Sequence, residues 1–361
     1  MQGVRYTAMD GLRGFAAICV AIWHLSPEFK STMQNTYLAV DMFFVLSGFV
    51  LAHAYLDRLQ NGYGRMKFMT VRFIRLAPLF MVAMIAGFVH VGLFGSVSEW
   101  NATSLLGFFP DFILNMAFLP AIATEPGVPM FPANPPSWSL FYELVINGVM
   151  ALVAVHLSPK RLRWLIGGFA IALVAATLYY GDMDEGFTQA GAAMGFARVG
   201  YCFFVGVALY AISKKMTLRL NAIYLLPALA VFTLLFFLKA PEGWRFLFDI
   251  IATGLIIPAT MLVASRIETH GVVDKICELS GRLSYGIYVF HTVAWDWMHA
   301  FFWKTGISFT PETLYLQWVI FISSLLAGSW IMDALFDRPL QTFMRGQIRT
   351  RLFPARESKA A

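Results

Sequence analysis

Arg13 and His24 stand eleven residues apart in "DGLRGFAAICVAIWH", the apolar stretch that opens the chain. In a helix, eleven residues turn through about 1100°, roughly 20° past three full turns. Both side chains therefore fall on one face, about 16 Å apart along the axis, with Asp10 within about 60° of each. A histidine beside a carboxylate is a general base suited to neutral pH. An arginine offers a planar fork that matches phosphate. The competing readings are plainer: an arginine that snorkels and marks topology, and a histidine that only packs.

Four further segments place groups of the same kind in apolar surroundings, where ionisable residues are costly and are partnered or functional. "LAVDMFFVLSGFVLAH" carries Asp41, a central Ser47-Gly48 pair and His53. Gly48 suits close helix packing. Ser47 is a candidate nucleophile, but spacing puts no base beside it. "RFIRLAPLF" sets Arg72 and Arg75 three residues apart on one helical face, with topology anchoring as the rival reading. "PPSWSLFYELVING" brings Trp138 and Ser139 at its entry and Glu143 about 10 Å further in. "GRLSYGIYVFHTVAWDW" holds Arg282 at one end, His291 near its middle and Asp296 beyond. Arg198, Asp249 and Asp333 are isolated intramembrane charges, and Arg198 is expected to pair with one of the acids.

The elements that must position these groups are membrane helices. The chain has 361 residues, of which 58% are hydrophobic and only 13% charged, half the charged share of a soluble domain. Ten spans are predicted near 9–27, 37–57, 72–95, 137–156, 163–181, 190–212, 221–239, 245–265, 283–303 and 314–336. The first is read as a retained span, not a cleaved signal. The stretch 102–120 is short and broken by proline, so it is read as a surface or re-entrant helix.

Basic residues test that count. With the N-terminus in the cytoplasm, 22 of the 27 Lys and Arg fall in inside segments, and only Lys30, Lys239, Arg245 and Lys304 fall outside. Counting 102–120 as a span would reverse the later loops. The predicted fold is an all-α polytopic bundle with both termini cytoplasmic. Residues 1–337 form the transmembrane domain and 338–361 a basic cytoplasmic tail that faces membrane lipid. The net charge of +6 is thereby a topology signal and excludes nucleic acid as a partner. Cys19, Cys202 and Cys277 are scattered, with neither a disulfide framework nor a metal spacing.

The placement implies a polar shaft. Arginines Arg13, Arg72, Arg75 and Arg282 sit at its cytoplasmic mouth, and His24, Asp41 and Glu143 converge in depth in its outer half. A phosphate-bearing donor from inside and an acceptor from outside would suit it.

At these same residues the chain resembles membrane acyltransferase family 3, whose members O-acylate bacterial glycans and some small molecules. The matching stretches are "DGLRGFAAICVAIWH", "DMFFVLSGF", the Arg-X-X-Arg of Arg72 and Arg75, "SWSLFYE" ending in Glu143, and "LSYGIYVFH" ending in His291. They run in the family's order across most of the chain. The resemblance implies transfer of an acyl group, usually acetyl, from acetyl-CoA to a hydroxyl of a glycan or lipid-linked saccharide at the bacterial inner membrane. It implies His24 as the catalytic histidine and Arg13, Arg72 and Arg75 on the acyl-CoA side. Asp41 or Glu143 would assist, and Trp138, Ser139 and His291 would bind the acceptor. Some members carry a fused periplasmic hydrolase-like domain. The sequence ends 25 residues after the last predicted span, so any such partner is expected to be a separate protein. The alternatives are a proton-coupled transporter of a glycan or small solute, which intramembrane acids and histidines also suit, and an assembly subunit. Matching broken helices in two halves, the transporter signature, are missing.

Overall fold

Hydrocarbon offers no water to backbone N–H and C=O groups, so long apolar runs fold as helices that satisfy these groups internally. The computed structural model describes residues 5–94, 105–122, 127–241, 243–310 and 312–347. A helix lies on each of the ten predicted runs. They are α1 (Thr7–Trp23), α2 (Ala39–Leu51), α3 (Arg65–Phe94), α5 (Trp138–Val153), α6 (Pro159–Tyr180), α7 (Ala192–Ser213), α8 (Leu225–Phe237), α9 (Arg245–Ala264), α10 (Gly271–Thr305) and α11 (Leu314–Met332). A π-type turn joins α11 to α12 (Arg338–Gln347). Among the described residues, seven helices are long and apolar enough to cross a membrane. The protein is thus a multi-pass helical membrane protein.

The remaining three runs depart from that criterion for visible reasons. Helix α1 stops at Trp23, four residues before the predicted end, because Ser26-Pro27 starts a new helix. Proline is pre-set for a first turn, and the Ser26 side chain accepts from Phe29 N–H at 3.4 Å. Helix α8 with its leading turn is only 16 residues, Ala222–Phe237. Helix α10 contains His291, His299, Asp296 and three tryptophans, which lower its hydropathy. It also begins twelve residues before the predicted span, through a polar extension held by Arg5–Glu278 at 2.5 Å and Thr269–Asp274 at 2.6 Å.

Within 102–120, the helix α4 (Leu105–Met116) has 12 residues and rises about 18 Å, too short to cross a bilayer. It ends in a turn locked by Asn115, whose amide donates to Leu119 and Met130 carbonyls, both at 3.0 Å. Phe118 takes a left-handed φ of 59° there, and its ring stacks on Phe80 at 3.8 Å. The tail basics Arg349, Arg351, Arg356 and Lys359 lie outside the described residues.

The core is set by helices that approach through glycine. Helices α1 and α10 run parallel, and a Cβ on Gly14 would sit 1.8 Å from Ser280 Oγ and 2.7 Å from the Ser280 carbonyl. Helices α2 and α7 meet in the same way: a Cβ on Gly48 would lie 1.9 Å from the Phe203 carbonyl oxygen, which bears out the packing role read for that glycine. Gly14→Val is therefore expected to force α1 off α10, at about 1–3 kcal/mol or more for overpacking. Gly148, whose Cβ would meet nothing within 4 Å, supplies the control. Thermal unfolding in detergent should show a lowered midpoint for Gly14→Val and little change for Gly148→Ala.

Candidate active site

The α1–α10 seam carries the first pair of residues. Arg13 Nε donates to Ser284 Oγ at 2.8 Å, and its Nη2 donates to the Gly281 carbonyl and pairs with Asp10 at 3.3 Å. Three turns along, His24 Nδ1 lies 2.9 Å from Val20 O and 3.2 Å from His291 Nε2. The predicted shared face of Arg13 and His24 is this seam. His24 also terminates α1, where the carbonyl end of a helix favours positive charge.

A cavity opens beside Arg13. Its polar wall is Arg13, Arg72, Arg75, Glu143, Ser47, Ser139 and Ser284, with Tyr285 and Tyr288, and its apolar wall comes largely from α2. Arg72 Nη2 donates to Glu143 Oε1 at 2.7 Å, and Ser47 Oγ donates to the same oxygen at 3.0 Å. So the structure does set an acid beside Ser47, although that acid is already neutralised by Arg72. Arg75 reaches Asp337 Oδ2 at 3.4 Å, a residue outside the cavity wall. Three guanidiniums thus face one lining carboxylate. Arg72 Nε is buried with no hydrogen-bond partner among the described residues.

Tyr288 lines this cavity and, through its backbone, touches the histidine pair. Its ring lines the cavity, edge-on to Phe43 with centroids 5.5 Å apart. Its hydroxyl lies 2.8 Å from Ser139 Oγ and 3.2 Å from the Pro136 carbonyl. Its own carbonyl accepts from His291 Nδ1 at 2.6 Å. The proline-rich residues just before α5 are pinned alongside: Asn134 donates to Val289 O at 2.9 Å and accepts from Thr292 at 3.0 Å. Sequence reasoning passed over Ser284 and Tyr288. The signal was there, since Ser284, Tyr288 and His291 follow a 4,3 spacing along one helical face.

Not every candidate joins this assembly. The expected carboxylate cluster around His24 does not form: among the described residues no hydrogen bond links His24 to Asp41 or Glu143, and its neighbour is His291. Asp41 is fully buried and accepts two bonds from Arg198, at 3.0 and 2.7 Å. Arg198 had been expected to find an acid, and this is the one. Trp138 stands under the same guanidinium, 5.5 Å from its ring, and does not line the cavity. Arg282 is likewise absent from the cavity wall and pairs with Asp333 at 3.2 Å. Asp249 accepts from Tyr37 at 2.5 Å and from Met183 N–H at 2.9 Å, tying the α6–α7 loop to α9.

Asp41 is thereby a structural residue by its contacts. Removing one partner of a buried ion pair costs about 3–5 kcal/mol. Asp41→Asn is expected to cut the yield of folded protein while leaving the activity per folded molecule within a few-fold. Size-exclusion yield and specific activity, measured together, separate the two effects.

The geometry describes a helical membrane protein with a cationic pocket inside the bundle and, beside it, a histidine pair of which His291 is buried and His24 half-buried. Residues 6–334 match the family model described as an acyltransferase domain, and the chain belongs to that family, as its motifs had indicated. Over 181 residues it is 34% identical to protein 2 in the picA locus of Rhizobium radiobacter, covering 48% of this chain and 94% of that protein. Over 190 residues it is 32% identical to the acyltransferase MdmB of Streptomyces mycarofaciens, covering 47% of this chain and 46% of that protein. The match thus spans about half the length of the second relative. No solved structure matches. The protein is a multi-pass membrane acyltransferase.

Proposed function

We propose that the protein moves an acetyl group from cytoplasmic acetyl-CoA to a hydroxyl of a periplasmic or lipid-linked glycan, across a ten-span bundle in the bacterial inner membrane. Both termini lie in the cytoplasm, with residues 338–361 as a basic tail on the lipid surface. The observation that carries the reading is the shared cavity of Arg13, Arg72 and Arg75, also lined by Tyr288, whose backbone carbonyl accepts from His291. Phosphates of the donor dock on Arg72 and Arg75 through charge-assisted bonds. Arg13 borders the path of the pantetheine arm. The thioester then lies near Tyr288, within reach of His24 as general base. Glu143 keeps Arg72 oriented rather than taking the acceptor proton. Transfer is direct: an acceptor oxygen attacks the thioester carbon as His24 takes its proton, and the thiol leaves. Acetyl over a longer acyl group follows from the family resemblance alone.

The test is a membrane assay with acetyl-labelled coenzyme A, followed by mass spectrometry of labelled glycans and lipids. An alkali-labile acetyl ester on a saccharide is the expected product. Solute flux without coenzyme A dependence, and no labelled product, would favour the transporter instead.

A further inference from the structure

His291 has no nitrogen left for a substrate. Its ring is 1% exposed. A backbone carbonyl only accepts, so the 2.6 Å contact from Nδ1 to Tyr288 O puts the proton on Nδ1. In the neutral ring Nε2 is then a bare acceptor. The atom facing it, 3.2 Å away, is His24 Nδ1, which must be the donor. Val20 O, 2.9 Å from the same Nδ1, makes the same demand independently. Two acceptors therefore fix one tautomer, with hydrogen on His24 Nδ1 and a lone pair on Nε2. Among the described residues no hydrogen bond reaches that Nε2.

We propose that His291 is a positioning residue that shares the His24 Nδ1–H with the Val20 carbonyl, holds the ring plane of His24 and steadies its charged form, in the role a carboxylate fills in a Ser-His-Asp triad. This rests on the reading of His24 as general base. The acids that could have filled the role are occupied elsewhere, Asp41 by Arg198 and Glu143 by Arg72. A neutral acceptor also suits an apolar site, because no second charge has to be buried. The step balances. The acceptor O–H proton passes to His24 Nε2, and the oxygen's electron pair forms the C–O bond to the thioester carbon. The C–S bond then breaks, and the sulfur leaves with the proton from Nε2. Throughout, His24 Nδ1–H stays on His291 Nε2, and that bond strengthens while the His24 ring is charged.

Three forms test this: the wild type, His291→Leu, which removes the side-chain acceptor and leaves only the Val20 carbonyl, and His291→Gln, whose amide oxygen can occupy the position of Nε2. Losing a hydrogen bond to a group that becomes charged should lower kcat by about 10- to 100-fold in His291→Leu, with KM for acetyl-CoA within twofold. His291→Gln should recover most of the loss. Nitrogen-15 NMR of histidine-labelled protein, with His24 assigned through His24→Asn, should show a protonated Nδ1 and a bare Nε2. A protonated Nε2 would overturn the proposal, as would wild-type kcat in a folded His291→Leu. A raised acceptor KM with unchanged kcat in both variants would also overturn it, by making His291 a substrate contact. The NMR result does not depend on the donor, so it stands apart from failure of the proposed reaction itself.

Discussion

His24→Ala should lose acyl transfer by about 100- to 10,000-fold, the usual contribution of a general base, while remaining folded and inserted. The structural cost is bounded. His24 sits at the end of α1, so few helical hydrogen bonds depend on its side chain. Its removal leaves His291 Nε2 without a donor, a cost of about 1–3 kcal/mol for one unsatisfied buried group. Gly14, Gly11 and Gly281 keep α1 against α10 without help from the imidazole. A variant that elutes like the wild type, unfolds at a similar temperature and transfers nothing is the expected result. His24→Gln should be nearly as inactive, since an amide fills the space but takes no proton.

Arg72→Gln carries the second large effect, and it should fall on the donor. Arg72 is one-seventh exposed, lines the cavity, holds Glu143 through one amino group and, among the described residues, keeps a buried Nε–H with no partner. Hydrogen bonds to charged groups are worth about 1.5–3 kcal/mol, so KM for acetyl-CoA should rise roughly tenfold to over a hundredfold. Arg72→Lys should not restore it, because a point charge cannot reproduce a planar fork. Arg75→Gln should cost less. Its side chain is 31% exposed, so solvent screens it, and its 3.4 Å contact to Asp337 already competes with any phosphate. Initial-rate kinetics over a range of acetyl-CoA concentrations resolve the order Arg72 before Arg75.

The sequence was legible along each helix and much less so between helices. Angular arithmetic put Arg13 and His24 on one face because both lie on a single regular helix, and α1 is regular from Thr7 to Trp23. Length along a span was read as depth. Depth alone, however, grouped His24 with Asp41 and Glu143, and it cannot say which helices are neighbours. Neighbours are chosen by close approach: Gly14 and Gly281 put α10, and so His291, against α1, while Gly48 and Gly206 put α7, and so Arg198, against α2. Arg282 shows the same limit. It stands at the expected edge of its helix but turns to Asp333 at the junction of α11 and α12 instead of to the arginine cavity. Asp337 escaped notice because a π-type turn follows α11 and carries it into the bundle, a deviation that no spacing rule reveals.

The most direct measurement of the central claim is sided transfer in proteoliposomes. Labelled acetyl-CoA is placed only on the side of the Arg72–Arg75 edge and a saccharide acceptor only on the opposite side, with His24→Ala vesicles in parallel. The account predicts acetyl ester on the acceptor in wild-type vesicles, at least a hundredfold less with His24→Ala, and none when donor and acceptor exchange sides. Equal acetylation from either side, or undiminished acetylation by a folded His24→Ala protein, would contradict it.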